Sequence, residues 1–220
     1  MIEFLKVHPA TTLDLVDLGF YKNVDCAYQS LKRLEDRRKI NRIGFDTSNE
    51  VGGRSPIIFS ARYISTAMSD HEYKLTKFCL LFSMRWIRGK FTNRLIRPDA
   101  ETFEGQKFYI ELDNNTERTR ALYKRIKVYE QNKHLFHGEK NDAGVVWLCP
   151  SLERLEQIRQ LTKSIENFCL FAVLDDVLAD PDGEHFYTLD GHCVRLGIPL
   201  VKRLDGTGAV DGLNGSQLAL

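Results

Sequence analysis

Asp99, Glu111 and Asp113 are three carboxylates set where strands would bring them together. Asp99 follows Pro98 in the phrase Leu95-Ile-Arg-Pro-Asp-Ala100, and Glu111 and Asp113 close the apolar run Lys107-Phe-Tyr-Ile-Glu-Leu-Asp113. If both runs are strands joined by a turn around Gly105, the 12-position spacing puts Asp99 beside Glu111. Like charges so close cost energy unless a cation neutralises them. A hard divalent ion such as Mg²⁺ prefers such oxygen ligands and keeps water for chemistry. Glu111 and Asp113, two residues apart on a strand, point to the same face, so a third acid can join the pair. Asp99 and Glu111 are therefore the candidate metal ligands, and Asp99, Glu111, Asp113 and Glu72 the candidate catalytic set. A structural reading stands beside this one: Asp99 closes a turn after Pro98, while Asp113 and Asn114 cap the helix that follows.

These residues need a scaffold, and the periodicity supplies one. A helix is predicted from Ser69 to about Arg88, with Leu75, Phe78, Cys79, Phe82 and Trp86 as its core stripe and His71 and Glu72 in its first turn. After the acidic hairpin, Asn114-Asn115-Thr116 caps a helix from Glu117 to about Asn132, with Leu122, Ile126 and Tyr129 facing inward. Ala143–Cys149 and Phe168–Leu174 read as buried strands flanking a helix from Pro150-Ser151 to Lys163, which predicts a mainly parallel sheet covered on both sides. Asp175-Asp176 caps a short helix at Val177–Ala179, and His134, His137, His185 and His192 are surface or packing residues.

The first sixty residues follow a different plan. Ile2–Val7 is a short apolar segment halted by Pro9, and Thr11-Thr-Leu-Asp14 has capping-box spacing ahead of Leu15, Leu18 and Gly19. Asn23 caps a second helix to about Arg38, in which Ala27, Leu31 and Leu34 form the buried stripe. Lys39–Gly44 and Pro56–Phe59 are strands joined by a Gly-Gly loop. Two helices meeting at a turn, then a hairpin, make a winged helix, which sets its second helix in the major groove of DNA. Gln29 and Lys32 suit base edges, and Arg33, Arg38, Arg42 and Arg54 suit phosphates. Asp25 and Asp36 on the same face would repel phosphate, as in the winged helices that bind protein instead.

Composition narrows the class. The chain has 220 residues, 43% hydrophobic and 28% charged, within the globular range. Its net charge of +1 excludes a protein that coats nucleic acid along its whole length. The charge is nevertheless graded, at +2 over residues 1–64, +4 over 65–132 and −5 over 133–220, which would orient the molecule toward a polyanion. Five scattered cysteines without a CxxC pair support neither a zinc ribbon nor a disulfide framework. A polar N-terminus and the lack of an apolar run of roughly 18 residues predict a cytoplasmic protein with no membrane partner. The expected fold class is α+β: a winged helix over residues 1–64, an α/β domain with a central mixed sheet over 65–204, and a fraying tail over 205–220.

The string Pro98-Asp99 … Glu111-Leu-Asp113 … Thr116-Glu117, followed by a helix ending near Tyr129, resembles the replication-relaxation family of bacterial proteins linked to plasmid replication and mobilisation. The resemblance covers residues 1 to about 150 and extends to His71 ahead of an apolar helix. It implies a winged helix joined to a restriction-endonuclease-like core of the PD-(D/E)XK type. Active nucleases of that type carry Lys two residues after the second acid, where an ammonium helps activate water. Here that position is Asp113, with Lys124 and Lys127 on the next helix as the candidate displaced ammonium. Three functions follow as expectations. The first is a DNA-binding accessory or regulatory protein of plasmid replication or mobilisation with an inactive nuclease-like core. The second is a Mg²⁺-dependent DNA endonuclease, and the third a protein-interaction module of a relaxosome or replication complex. The expected partners are double-stranded DNA, a relaxase or replication proteins, and a second copy of the chain.

Overall fold

The structure, a computed structural model, describes residues 1–46, 55–82, 96–101, 108–114, 119–132, 144–163 and 169–196. They form an α+β protein with one small antiparallel sheet and one six-stranded mixed sheet. The chain divides into two compact units, Met1–Thr76 and Lys77–Val201, with the division inside a helix. Arg54 and the Gly-Gly loop, the turn at Gly105, Trp86, His134, His137 and the tail from Asp205 lie outside the described residues.

In the first unit α1 (Ile2–Val7), α2 (Thr12–Asp17) and α3 (Val24–Asp36) precede a hairpin of β1 (Asn41–Phe45) and β2 (Ile57–Ser60). The capping box forms as the spacing requires: the Thr11 hydroxyl accepts from the Asp14 N–H at 3.2 Å, and the Asp14 carboxylate accepts from the Thr11 N–H at 2.8 Å. Gly19, at φ +74°, takes the left-handed conformation that ends α2 at little steric cost. Asn23 caps α3 by accepting from the Cys26 N–H at 2.9 Å. α3 stops two residues before the expected Arg38, because Arg38 adopts φ +55° and breaks the helical path. Ala10 pairs with Phe59 through reciprocal backbone bonds of 3.0 and 2.9 Å, adding a third short rung to the hairpin. Leu5, Ala10, Leu15, Leu31, Ile40 and Phe59 close the core, with Leu34 packed against it.

A long helix, α4 (Thr66–Leu81), follows. It begins three residues before the expected Ser69, whose hydroxyl donates to the Thr66 carbonyl at 2.8 Å instead of capping a helix end. Glu72 therefore lies beyond the first turn and is buried. Tyr73 on α4 donates its single phenol hydrogen between Asp14 and Asp46, with oxygens at 2.9 and 3.0 Å. Burial and these two charges push the phenol far above its ordinary pKa, so it remains a donor.

The second unit contains β3 (Ala100–Glu101), β4 (Phe108–Leu112), α5 (Thr119–Gln131), β5 (Gly144–Cys149), α6 (Leu152–Leu161), β6 (Cys169–Val173), α7 (Leu174–Ala179), β7 (Phe186–Tyr187) and β8 (Cys193–Val194). The six strands stand side by side in chain order. Only β4, β5 and β6 are parallel; β3, β7 and β8 run antiparallel to their neighbours. The sheet is mixed, as the expected central mixed sheet requires, and its parallel pairing is confined to β4, β5 and β6. One sheet face presents Tyr109, Val145, Trp147, Cys149, Cys169, Phe171 and Val173 to Leu122, Ile126 and Tyr129 of α5 and to Leu155 and Ile158 of α6. On the other face Phe82, just past α4, meets Phe186 edge-on at 5.9 Å. α7 starts at Leu174, so Asp175 and Asp176 occupy its first turn, where they complement the helix dipole, rather than capping it.

Thr11→Ala removes half of the capping box at a buried position. It is expected to lower unfolding free energy by about 1–2 kcal/mol in urea titration, with the native circular dichroism spectrum retained.

Candidate acidic site and nucleic-acid interface

The pairing of β3 with β4 brings Asp99 and Glu111 together as their spacing predicts. The Asp99 N–H donates to the Ile110 carbonyl at 2.9 Å, and Asp99 Oδ2 accepts from the Leu112 N–H at 2.8 Å. The Asp99 carboxylate thus extends the strand ladder. Glu111 points to the sheet face beneath α5 and is 1% exposed. Its Oε1 accepts from the Tyr129 hydroxyl and its Oε2 from Arg125 Nη1 at 2.9 Å. Burial and the charge of Asp99 raise the Glu111 pKa to about 8, against the opposing pull of Arg125 and Tyr129.

Asp113, on the same face, lies under α6. Arg154 donates to it through both Nε and Nη2, the second at 3.2 Å to Oδ1, and both side chains are buried. Arg154 Nη1 also donates to Gln157 Oε1 at 2.6 Å. Asp113 thus forms a buried ion pair to α6, while the start of the following helix that it is expected to cap lies outside the described residues. Asp113 also stands where a nuclease would carry its lysine, and its partner there is a guanidinium.

Neither candidate displaced lysine is drawn toward Glu111 by the contacts described. Lys127 donates to Glu130 and lies over the Tyr123 ring at 5.4 Å, while Lys124 is exposed. Glu72 belongs to the first unit, where it pairs with Arg62. Among the described residues no group of three or more His, Cys, Asp or Glu is placed to hold a metal ion. Both Glu111 oxygens already accept from side chains, yet burial and Asp99 outweigh Arg125, so the folded acid keeps its proton at neutral pH.

Arg125, Tyr129 and Arg154 complete the cluster, and the spacing of the acids marks none of them. A signal existed for Arg154: with Ile158 and Thr162 it falls at i, i+4 and i+8, and all three are buried. Tyr129 faces inward as its periodicity predicts, and its buried hydroxyl meets Glu111. An inward hydroxyl opposite an inward acid on the neighbouring strand was the usable clue.

The exposed side of α3 carries Asp25, Gln29, Lys32, Arg33 and Asp36, together with Tyr28, while Ala27 and Leu31 are fully buried. Arg42 lies on β1 and donates twice to Glu35 Oε2, at 2.9 and 2.7 Å, tying the strand to α3. Arg38 is exposed just past the helix end. No family model, curated protein or solved structure matches the chain.

Two measurements check this geometry. Asp113→Ala leaves the Arg154 guanidinium buried without its acid and is expected to cost about 3–5 kcal/mol of unfolding free energy, most of which Asp113→Ala with Arg154→Met recovers. Because Glu111 holds its proton to about pH 8 when folded, against an ordinary 4.5, the native state binds a proton that the unfolded chain releases in that window. Stability is therefore expected to fall as pH rises from about 5 to 8, and Glu111→Gln to flatten that slope in denaturation curves taken across the range.

Proposed function

We propose that this chain is a DNA-binding accessory or regulatory protein of plasmid replication or mobilisation, with a winged-helix reader in its first unit and a restriction-endonuclease-like core whose acids hold the fold together. The observation that carries the reading is α3, a helix buried on one side at Ala27 and Leu31 that exposes Gln29, Lys32 and Arg33 on the other. Helix, short pairing segment, two helices and a hairpin follow in winged-helix order. Thirteen residues give α3 a length of about 20 Å, which suits the major groove. Gln29 and Lys32 would meet base edges, and Arg33, Arg38, Arg42 and Arg54 phosphates. Reaching a phosphate with Arg42 requires its release from Glu35.

The resemblance to the replication-relaxation family supports the plasmid setting, cytoplasmic placement and relaxase or replication proteins as partners. The occupied acids favour the accessory over the endonuclease reading. Glu111 is held by Tyr129 and Arg125, Asp113 by Arg154, and Asp99 by the Leu112 N–H.

The test is titration of duplex DNA at several salt concentrations, with supercoiled plasmid incubated in parallel with Mg²⁺, Mn²⁺ or chelator. Salt-sensitive binding is expected, weakened about tenfold or more by Gln29→Ala, Lys32→Ala and Arg33→Ala together, with no nicking. Glu35→Gln should raise affinity by freeing Arg42. Metal-dependent nicking lost on Asp99→Ala with Glu111→Ala would make the protein an endonuclease. Absence of any binding would leave the interaction module.

A further inference from the structure

The second unit carries a basic helix face that the reader and the acidic cluster do not use. α5 holds Arg120, Lys124, Arg125 and Lys127 against a single acid, Glu130. Arg125 turns inward to Glu111. Arg120, Tyr123, Lys124 and Lys127 recur at i, i+3, i+4 and i+7, opposite the buried stripe of Leu122, Ile126 and Tyr129. They therefore form one outward stripe along about two turns of helix.

Three features set this stripe apart from ordinary solubilising charge. Arg120 and Lys124 are exposed and pair with no acid among the described residues. Lys127 pairs with Glu130, three residues on. Tyr123, 46% exposed at the centre of the stripe, offers a ring face with Lys127 above it at 5.4 Å. The neighbouring α6 covers the same sheet face but spends its surface differently, with Glu153, Glu156, Gln157 and Gln160 outward and Arg159 bonded to Glu156.

We propose that the outward face of α5, formed by Arg120, Tyr123, Lys124 and Lys127, is a second DNA-binding surface that grips the sugar–phosphate backbone. Cations at i, i+4 and i+7 span about 10 Å of helix, enough to meet successive phosphates along one strand. Tyr123 between them packs on a sugar or an exposed base. No base-edge reader stands among the four residues, so this contact adds affinity without sequence preference. The surface shares no residue with α3 or with Asp99, Glu111 and Asp113. It does not require the winged-helix assignment to hold, only that DNA is the partner of the chain.

The experiment uses the full chain in four forms: wild type, an α5 variant (Arg120→Gln, Lys124→Gln and Lys127→Gln), the α3 variant (Gln29→Ala, Lys32→Ala and Arg33→Ala), and both combined. Each is titrated with a labelled duplex and with a scrambled duplex of equal length across a salt series, after circular dichroism has established an unchanged fold. The α5 variant is expected to bind both duplexes about tenfold more weakly, with a salt slope shallower by about 2–3. Tyr123→Ala should weaken binding without changing the slope, because it removes no charge. An α5 variant that binds as wild type while the α3 variant does not would overturn the second surface and leave the reader standing. An affected α5 variant beside an unaffected α3 variant would overturn the reader and keep the second surface. Wild-type binding to polyglutamate as tight as to DNA would assign the stripe to acidic protein instead and overturn the proposal, as would failure to bind either polymer.

Discussion

The second unit is organised by the need to neutralise acids on the inner face of a strand. Glu111 and Asp113 project from the sheet into a layer otherwise filled by Trp147, Cys149, Phe171, Leu122 and Leu155. An unpaired carboxylate there would cost several kcal/mol, so each covering helix must bring a partner at a fixed height and rotation. α5 brings Arg125 and Tyr129, and α6 brings Arg154. A guanidinium that meets a carboxylate with two donors tolerates little misplacement, so the Asp113–Arg154 pair pins α6 to β4 across the intervening β5. The apolar contacts supply the bulk of the burial, and the charged contacts fix which residue lies over which.

That arrangement changes the meaning of the acidic string. Asp, Glu and Asp on neighbouring strands suggest a metal site when only their spacing is known. Once the helices are in place, Arg125 and Arg154 provide positive charge from within the chain, and the Asp99 carboxylate serves the strand ladder. The fold needs these acids for its own cohesion.

The first unit works by a different principle, in which local hydrogen bonds hold a small core and leave one helix face open. The capping box of α2, the Asn23 cap of α3 and the Ala10–Phe59 rung each satisfy backbone groups that a unit of this size cannot leave buried and unpaired. Tyr73 links the same capping carboxylate, Asp14, to Asp46 where β1 ends. The exposed Arg42–Glu35 pair contributes less than about 1 kcal/mol, so little holds the guanidinium in place.

Signals that are local in sequence were legible before the structure. The Thr11–Asp14 box, the Asn23 cap, the inward stripe of Leu122, Ile126 and Tyr129, and the buried strands at Gly144–Cys149 and Cys169–Val173 depend on residues within a turn or on simple periodicity. The neighbourhood of Asp99 and Glu111 was legible too, because a hairpin converts spacing into contact. Partners brought from remote segments were not. Arg154 reaches Asp113 across 41 positions, and no rule of spacing predicts which strand an α6 residue will meet. The pairing of Glu72 with Arg62, ten positions away, was likewise not legible from the helix pattern. The sequence by itself determined the helices, the strands and the nearness of the acids, because those are short-range consequences of backbone sterics and pattern. Only the tertiary structure decided which side chains the acids meet, because pairing a buried acid depends on which remote side chain the folded chain lays over it.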